Sequence, residues 1–260
     1  MEVNNLVSIL VLSYNNLQYL NQCLDSILQQ DYPYIEIIIS DDFSGNFQKD
    51  EIERYINDNK KENIVNYIIS QSACNLGLVK NINNAIKLAT GNYFVNIACD
   101  DVFFDYQVIS SIVQFYSVTN YLVSVGFVAM FDEQLKVCLG TTPTREYIKY
   151  LYGNPIDCYR VFCQGNFIPS PGMSYRRELI NKYGMYDENY KLLEDYPRWL
   201  YLTRNGCSIG FLDRYVVKYR QGGISSNRDD NIAKVLMEDL ALAREKEILP
   251  YVDSTKDNIY

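Results

Sequence analysis

Two strand-like runs in this chain end in adjacent carboxylates, and paired acids so placed can hold a ligand. In GNYFVNIACDDVFFD (91–105), Tyr93, Phe94, Val95, Ile97 and Ala98 form an apolar, β-leaning run that stops at Asp100 and Asp101. In YIEIIIS (34–40) a second such run stops at Asp41 and Asp42, followed by the turn residues Ser44, Gly45 and Asn46. Ligands of open α/β sheets sit outside the carboxyl ends of the strands, where both pairs fall. Successive side chains of an extended chain point to opposite sides, so one of Asp100 and Asp101 can grip a metal while the other grips a different part of the same ligand. A plainer reading also stands: the two acids solvate a strand exit, or cap a helix expected to start near Tyr106. The chain has no histidine. That removes Ser-His-Asp and Cys-His catalysis and His-containing zinc sites, and leaves proton transfer to carboxylates, lysine, tyrosine or cysteine.

The elements that position these acids alternate. LVSILVL (6–12) reads as a first buried strand, feeding the loop Ser13-Tyr14-Asn15-Asn16 and then Leu17, Leu20, Leu24, Ile27 and Leu28 at helical spacing. That loop holds no glycine, so the dinucleotide-binding fingerprint is absent. Helices are predicted over 47–59 and 79–89, the latter closed by Gly91 as a C-cap, with a third strand over 64–69. The strand–helix alternation over roughly the first 115 residues predicts a parallel, doubly wound α/β sheet. Beyond it we expect a helix from Val108 to Tyr116, a strand over 122–130, a strand or hairpin over 131–144, and a short helix over 157–163. The turn Pro169-Ser170-Pro171-Gly172 then leads to a strand at 173–175 and a helix at 177–182. Leu192-Leu193-Glu194-Asp195-Tyr196-Pro197 opens another helix, with Asp195 placed as its N-cap and Pro197 in its first turn. Strands are expected at 208–212 and 215–219. The segment RQGGISSNR (220–228) has an arginine at each end and either closes over a phosphate or links to the last helix, 231–249. The apolar stripe of that helix, Ile232, Val235, Leu236, Leu240 and Ala243, would pack on the domain or on a second copy of it. The basic cluster Arg176, Arg177 and Lys182 is read as a solvated helix face, with an anionic acceptor as the alternative.

With 260 residues, of which 48% are hydrophobic and 22% charged, the chain can bury a substantial core and fits one globular domain. Its net charge of -8 argues against holding a nucleic-acid backbone, whereas a small anion remains acceptable if a divalent cation mediates it. The 24 tyrosines offer surfaces that stack on sugars or bases, or reflect codon bias. Seven cysteines without a CxxC pair fit buried free thiols in a reducing cytoplasm. No apolar run approaches a membrane span, and MEVNN lacks a basic n-region, so no signal peptide is expected.

The segments SILVLSYNN, ISDDFSGN, NLGLVKNINNAIKLATGNYFVNIACDD, PGMSYRRELINKYGMYDENY and LLEDYPRWLYLTRNG occur in an order and spacing that resemble the family 2 glycosyltransferases, from Val7 to about Ser226. The resemblance implies a GT-A fold: a Rossmann-like, mostly parallel sheet forming one domain over 1–260. Within it lie a nucleotide-sugar-binding half (1–116), an acceptor-binding half (117–226) and a C-terminal helical segment (227–260). It implies inverting transfer of a sugar from a nucleotide-sugar, a UDP-sugar by family habit, to a saccharide in cell-surface polysaccharide (O-antigen or capsule) synthesis. Mn2+ or Mg2+ would be held by Asp101, with Asp100 sharing the cation or taking the ribose. Asp42 would accept from the base, with Asp41 beside it, Ser13, Tyr14 and Asn15 lining the nucleotide, and Lys80 and Arg220 toward the donor. Asp195 would be the catalytic base, with Glu194 the next candidate. Many relatives carry Asp-x-Asp-Asp at the fourth strand end; Ala98 replaces the first acid here, which bears on the number of metal ligands. The implied acceptor is a saccharide on a lipid carrier, which would bring the protein to the cytoplasmic face of the cell membrane as a peripheral partner, with a homodimer also possible. Two rivals are a non-catalytic sugar- or protein-binding module on the same fold and a nucleotidyltransferase that makes nucleotide sugars. The latter's glycine-rich phosphate loop is missing.

Overall fold

The computed structural model describes residues 5–222 and 230–252. Its elements run β1 (Val7–Ser13), α1 (Leu20–Leu28), β2 (Ile35–Asp41), α2 (Lys49–Asn59), β3 (Ile64–Gln71), α3 (Leu78–Leu88), β4 (Tyr93–Ala98), β5 (Val102–Phe103) and α4 (Val108–Val118). The second half holds β6 (Val123–Phe131), β7 (Cys138–Thr142), α5 (Arg145–Ile148), α6 (Pro155–Phe162), β8 (Met173–Arg176), α7 (Arg177–Tyr183), α8 (Asp195–Arg204), β9 (Ile209–Arg220) and α9 (Asp230–Ala243).

These strands form one mixed sheet in the order β3-β2-β1-β4-β8-β6-β9-β5, with β7 hairpinned onto β6. The long ladders β1·β2, β1·β4, β2·β3 and β6·β9 are parallel, whereas β8 joins the two halves as a short antiparallel strand between β4 and β6. Both faces are covered, as near-continuous apolar strands require. On β1, Val7, Ile9 and Val11 pack with α1, α2 and α4, while Leu10 faces the opposite core built from α3, α6, α7 and α8. The expected α/β architecture is therefore present, and it brings the ends of β1, β2 and β4 together.

Several expectations are corrected. Gly91 does not cap α3: the helix stops at Leu88, and Ala89 is already extended. Glycine is required at 91 by close approach, because a Cβ there would lie 2.6 Å from Ser8 Oγ and 2.7 Å from the Leu6 carbonyl oxygen. The two strands expected around Asp213-Arg214 are one strand, β9, whose ladder to β6 shifts register at that point. Asp195 is the first helical residue of α8 rather than its N-cap. Arg176 and Arg177 do not form a solvated face or an anion site. Arg176 donates to the Tyr121, Tyr116 and Thr119 carbonyls and lies over the Tyr93 and Tyr116 rings, and Arg177 donates to the Gly91 and Ala89 carbonyls at 2.8 Å each. Both fasten loops at the end of the sheet remote from the acid pairs.

Helix α9 ends at Ala243 and passes into a π turn over Arg244–Ile248. Of its expected stripe only Ala243 is buried; Leu240 is exposed. Cys23, Cys99, Cys158, Cys163 and Cys207 are buried free thiols, but Cys74 and Cys138 are exposed. No helix among the described residues is long and apolar enough to cross a membrane. Residues 223–228 of the expected phosphate lid lie outside the described residues.

Candidate active site

Both acid pairs project from the carboxyl edge of the sheet, but they differ in how their oxygens are used. Asp41, at the end of β2, is fully buried, and its carboxylate accepts from Ser13 Oγ (2.8 Å), Ser44 Oγ (2.6 Å), Ser44 N–H (2.8 Å) and Gln71 Nε2 (2.9 Å). Four donors nearly fill the capacity of a carboxylate, so Asp41 ties the ends of β1, β2 and β3 together. Asp42 accepts the backbone N–H groups of Leu76 and Gly77 at 2.8 Å each and so holds the turn entering α3. Burial raises its carboxyl, opposed by those two donors. Gly77 has φ +89°, a conformation glycine adopts without steric cost. Tyr14 is exposed and Asn15 takes the left-handed conformation (φ 59°), with its N–H donating to Ser44 Oγ at 2.8 Å. Lys80 lies in the first turn of α3, half-buried.

The pair after β4 is different. Asn16 Nδ2 donates to Asp100 Oδ2 (3.0 Å), and the Arg220 backbone N–H donates to Asp101 Oδ1 (2.8 Å). Asp101 Oδ2 is buried and, among the described residues, has no hydrogen-bond partner. Burial raises both carboxyls; Asp101 moves further because it is almost completely enclosed and the Asp100 charge adds to the effect. A buried carboxylate oxygen left without a donor is costly, which marks it for a ligand the protein itself does not supply.

Arg220 does not reach toward a diphosphate. It is buried behind the acid loop, with Nε donating to the Asp100 carbonyl (2.7 Å), one terminal nitrogen to Gln22 Oε1 (2.7 Å) and the other to the Glu133 carbonyl, while its guanidinium lies 3.9 Å from the centre of the Tyr19 ring. It braces the loop that carries Asp100 and Asp101.

Glu194 and Asp195 stand at the start of α8, the same edge of the helical layer as the turn entering α3. Asp195 is half-buried and accepts from Asn166 Nδ2 (2.9 Å) and the Tyr196 N–H (2.6 Å). Glu194 lines a cavity of about 400 Å³ along α8 with Val79, Tyr190, Arg198 and Tyr201. The strand-end acids do not line that cavity. Burial raises both carboxyls; the Asp195 charge pushes Glu194 up further, whereas Asn166 and the Tyr196 N–H pull Asp195 down. Such a pair loses its protons in two steps, and Asp195, whose carboxylate is met by the Asn166 and Tyr196 donors, ionises first.

Asn16 and Ser44 stood out in the sequence only as loop and turn residues, and Gln71, Tyr19, Gln22, Glu133 and Asn166 not at all; these are polar residues that the fold brings in from other parts of the chain. Glu36, also unremarked, is a buried carboxylate near the start of β2. Burial alone would raise it, but Thr90, Ser8 and Asn66 donate to it and its carboxyl lies below the ordinary range, as suits a structural anion.

The family described as glycosyl transferase family 2 matches residues 8–184. An uncharacterized glycosyltransferase of Haemophilus influenzae is 26% identical over 228 residues, covering 86% of this chain and 68% of that relative. UDP-Glc:alpha-D-GlcNAc-diphosphoundecaprenol beta-1,3-glucosyltransferase WfaP of Escherichia coli is 26% identical over 232 residues, covering 86% and 81%. Among solved structures, TarS of Staphylococcus aureus superposes with a TM-score of 0.68 at 19% identity over 97% of this chain, which spans 41% of that protein. Its 1–349 fragment in complex with UDP-GlcNAc gives 0.67 at 20% identity, covering 97% and 69%.

Proposed function

The chain belongs to glycosyl transferase family 2, and from that premise we propose that it moves a sugar from a UDP-sugar to a hydroxyl of a saccharide acceptor with inversion at the anomeric carbon. The observation that carries the reading is Asp101. Its Oδ2 is buried without a partner, next to Asp100, at the edge where a sheet of this kind receives a nucleotide. A hard divalent cation, Mn2+ or Mg2+, fits Asp101 with Asp100. No group of three or more His, Cys, Asp and Glu that could hold a metal occurs among the described residues, so two carboxylates would share the cation with oxygens of the donor and water. When bound, such a cation offsets the negative charge that grows on a leaving diphosphate. The name of WfaP, with UDP-Glc as donor, and the UDP-GlcNAc complex of TarS support a UDP-sugar.

The nucleotide would lie over Ser13, Tyr14 and Asn15, with the base toward Asp42, whose two oxygens each retain acceptor capacity. Asp41 and Arg220 act from behind by fixing the loops. Asp195 is the base. As the bond from the anomeric carbon to the diphosphate breaks and its electrons leave with UDP, the acceptor oxygen bonds that carbon from the opposite side and its proton passes to Asp195. A single base suffices for inversion because no covalent enzyme intermediate forms. Glu194, the later member to ionise, keeps its proton while Asp195 works. The acceptor is a lipid-linked saccharide of cell-surface polysaccharide synthesis, a reading supported by the diphosphoundecaprenol acceptor in the WfaP name. Such an acceptor would bring the protein to the inner face of the cell membrane.

The test is UDP release from UDP-glucose and UDP-GlcNAc with Mn2+ or Mg2+, with and without a lipid-linked GlcNAc acceptor, and assignment of the new anomeric configuration by NMR. Acceptor-stimulated release and a β-linked product from the α-linked donor are expected. Release of no UDP from either donor at any cation concentration, or a retained configuration, overturns the proposal.

A further inference from the structure

Helix α9 is mostly exposed, and its buried side chains are Asp239 and Ala243, while Met237 and Leu240 on the same helix remain exposed at 65% and 39%. Burial of a carboxylate in preference to apolar neighbours is costly unless donors meet it. They do: three consecutive backbone N–H groups, those of Lys191 (3.0 Å), Leu192 (2.8 Å) and Leu193 (3.0 Å), converge on Asp239 Oδ2. Successive N–H groups turned to one side make an anion-binding concavity, filled here by a side chain of the protein. The next two residues are Glu194 and Asp195.

The same peptide segment is held from the other side. The Lys191 carbonyl accepts the Val79 N–H (3.2 Å) at the start of α3, and Gly77 packs so closely that a Cβ there would lie 2.8 Å from that oxygen. Gly77 in turn donates its N–H to Asp42. An unbroken series of contacts therefore runs from the donor end of β2 through Gly77 and Lys191 to the C-terminal helix.

We propose that Asp239 is a positioning residue: by clamping residues 191–193 it sets the proposed base, Asp195, at its working distance from the donor. The inference rests on the transferase reading above. Asp239 is not among the residues proposed to hold the donor, so its loss should move the base with little effect on donor binding. A displacement of about 1 Å at a reacting group costs on the order of a hundredfold in rate.

The experiment compares wild type, Asp239→Ala, Asp239→Asn, Asp195→Asn and the double variant Asp239→Ala/Asp195→Asn in the full chain. It measures kcat, KM for each substrate, donor affinity by calorimetry and amide hydrogen exchange of 191–196. In Asp239→Ala, exchange at 191–193 should quicken and kcat should fall by about tenfold to a hundredfold, with donor affinity and donor KM unchanged. Asp239→Asn, whose amide oxygen still accepts, should recover most of the rate. In the Asp195→Asn background the Asp239→Ala change should add less than about twofold, because it acts through the base. Should Asp239→Ala fail to fold, Asp239→Ser takes its place in every comparison. Faster exchange with an unchanged kcat, or an equal loss in both backgrounds, overturns the positioning role and leaves the transferase reading intact. A wild type that binds donor yet transfers no sugar overturns the transferase reading itself, and the role of Asp239 with it.

Discussion

Asp101 carries the sharpest conflict between stability and use in this protein. Its Oδ2 is buried without a donor and burial holds its carboxyl well above the ordinary range, so an ionised Asp101 disfavours the free protein. Asp101→Asn keeps an oxygen for the Arg220 N–H and removes the charge. The donor-free variant should melt at the same temperature as wild type or higher at neutral pH, while donor affinity with cation present falls by about a hundredfold or more; scanning calorimetry and titration calorimetry read the two effects. An undiminished affinity would remove Asp101 from the site. Asp195 and Glu194 separate by environment. Asp195→Asn should lower kcat by roughly a hundredfold or more with donor affinity nearly intact. Glu194 has a raised folded-state carboxyl, so its contribution to stability is complete below the ordinary carboxylate range and is lost as pH rises through the raised value. Wild type should therefore lose stability as pH climbs above about 4.5, and Glu194→Gln should flatten that decline when urea midpoints are compared across pH. Parallel curves for the two proteins would show that Glu194 ionises freely.

At the scale of elements, the junction between β1 and the entry to β4 shows how tightly the edge remote from the site is built. Gly91 donates its N–H to Ser8 Oγ at 2.9 Å and leaves no room for a Cβ against Ser8 and Leu6. Ser8 also donates to Glu36, which joins β1 to β2, and Arg177 closes the same edge by binding the Gly91 carbonyl. Gly91→Ala must push backbone against backbone, so we expect a loss of about 1–3 kcal/mol in urea unfolding with little change in donor affinity. An unaltered stability would mean that β1 yields without cost. At the other end β9 delivers Arg220 behind the acid loop, and its neighbour β5 pairs it at Val102 and Phe103, directly after the acids. The acid loop is thereby fixed by a strand that is remote in sequence.

For the whole molecule, β8 joins the two halves into one sheet, so the proposed nucleotide and acceptor groups are carried by one sheet and the helices packed on it. A ligand that binds only the folded state raises apparent stability. A UDP-sugar with Mn2+ or Mg2+ at about 100 times its dissociation constant should add about 2.7 kcal/mol and shift the melting temperature upward, and a chelator should abolish the shift. A shift that survives chelation would show that Asp100 and Asp101 bind the donor without a cation.

The strand and helix alternation, both strand-end acid pairs and the family were legible in sequence because they are local. Apolar runs such as LVSILVL specify buried strands by composition alone, and an acid that follows such a run is carried to the sheet edge by chain direction. The roles within the pairs were not legible. Asp41 and Asp101 both follow apolar strands, yet one is filled by Ser44 of its own turn and by Ser13 and Gln71 at the ends of the neighbouring strands, and the other keeps a bare oxygen, a difference set by what the folded sheet brings beside each. Arg220 was read as facing a phosphate and is buried among Asp100, Gln22 and Glu133; Arg176 and Arg177 were read as a surface and fasten carbonyls. For the three arginines charge and sequence position were visible, but the partners lie tens of residues away or more, and only the packed chain decides whether a polar group meets water, substrate or another part of the protein.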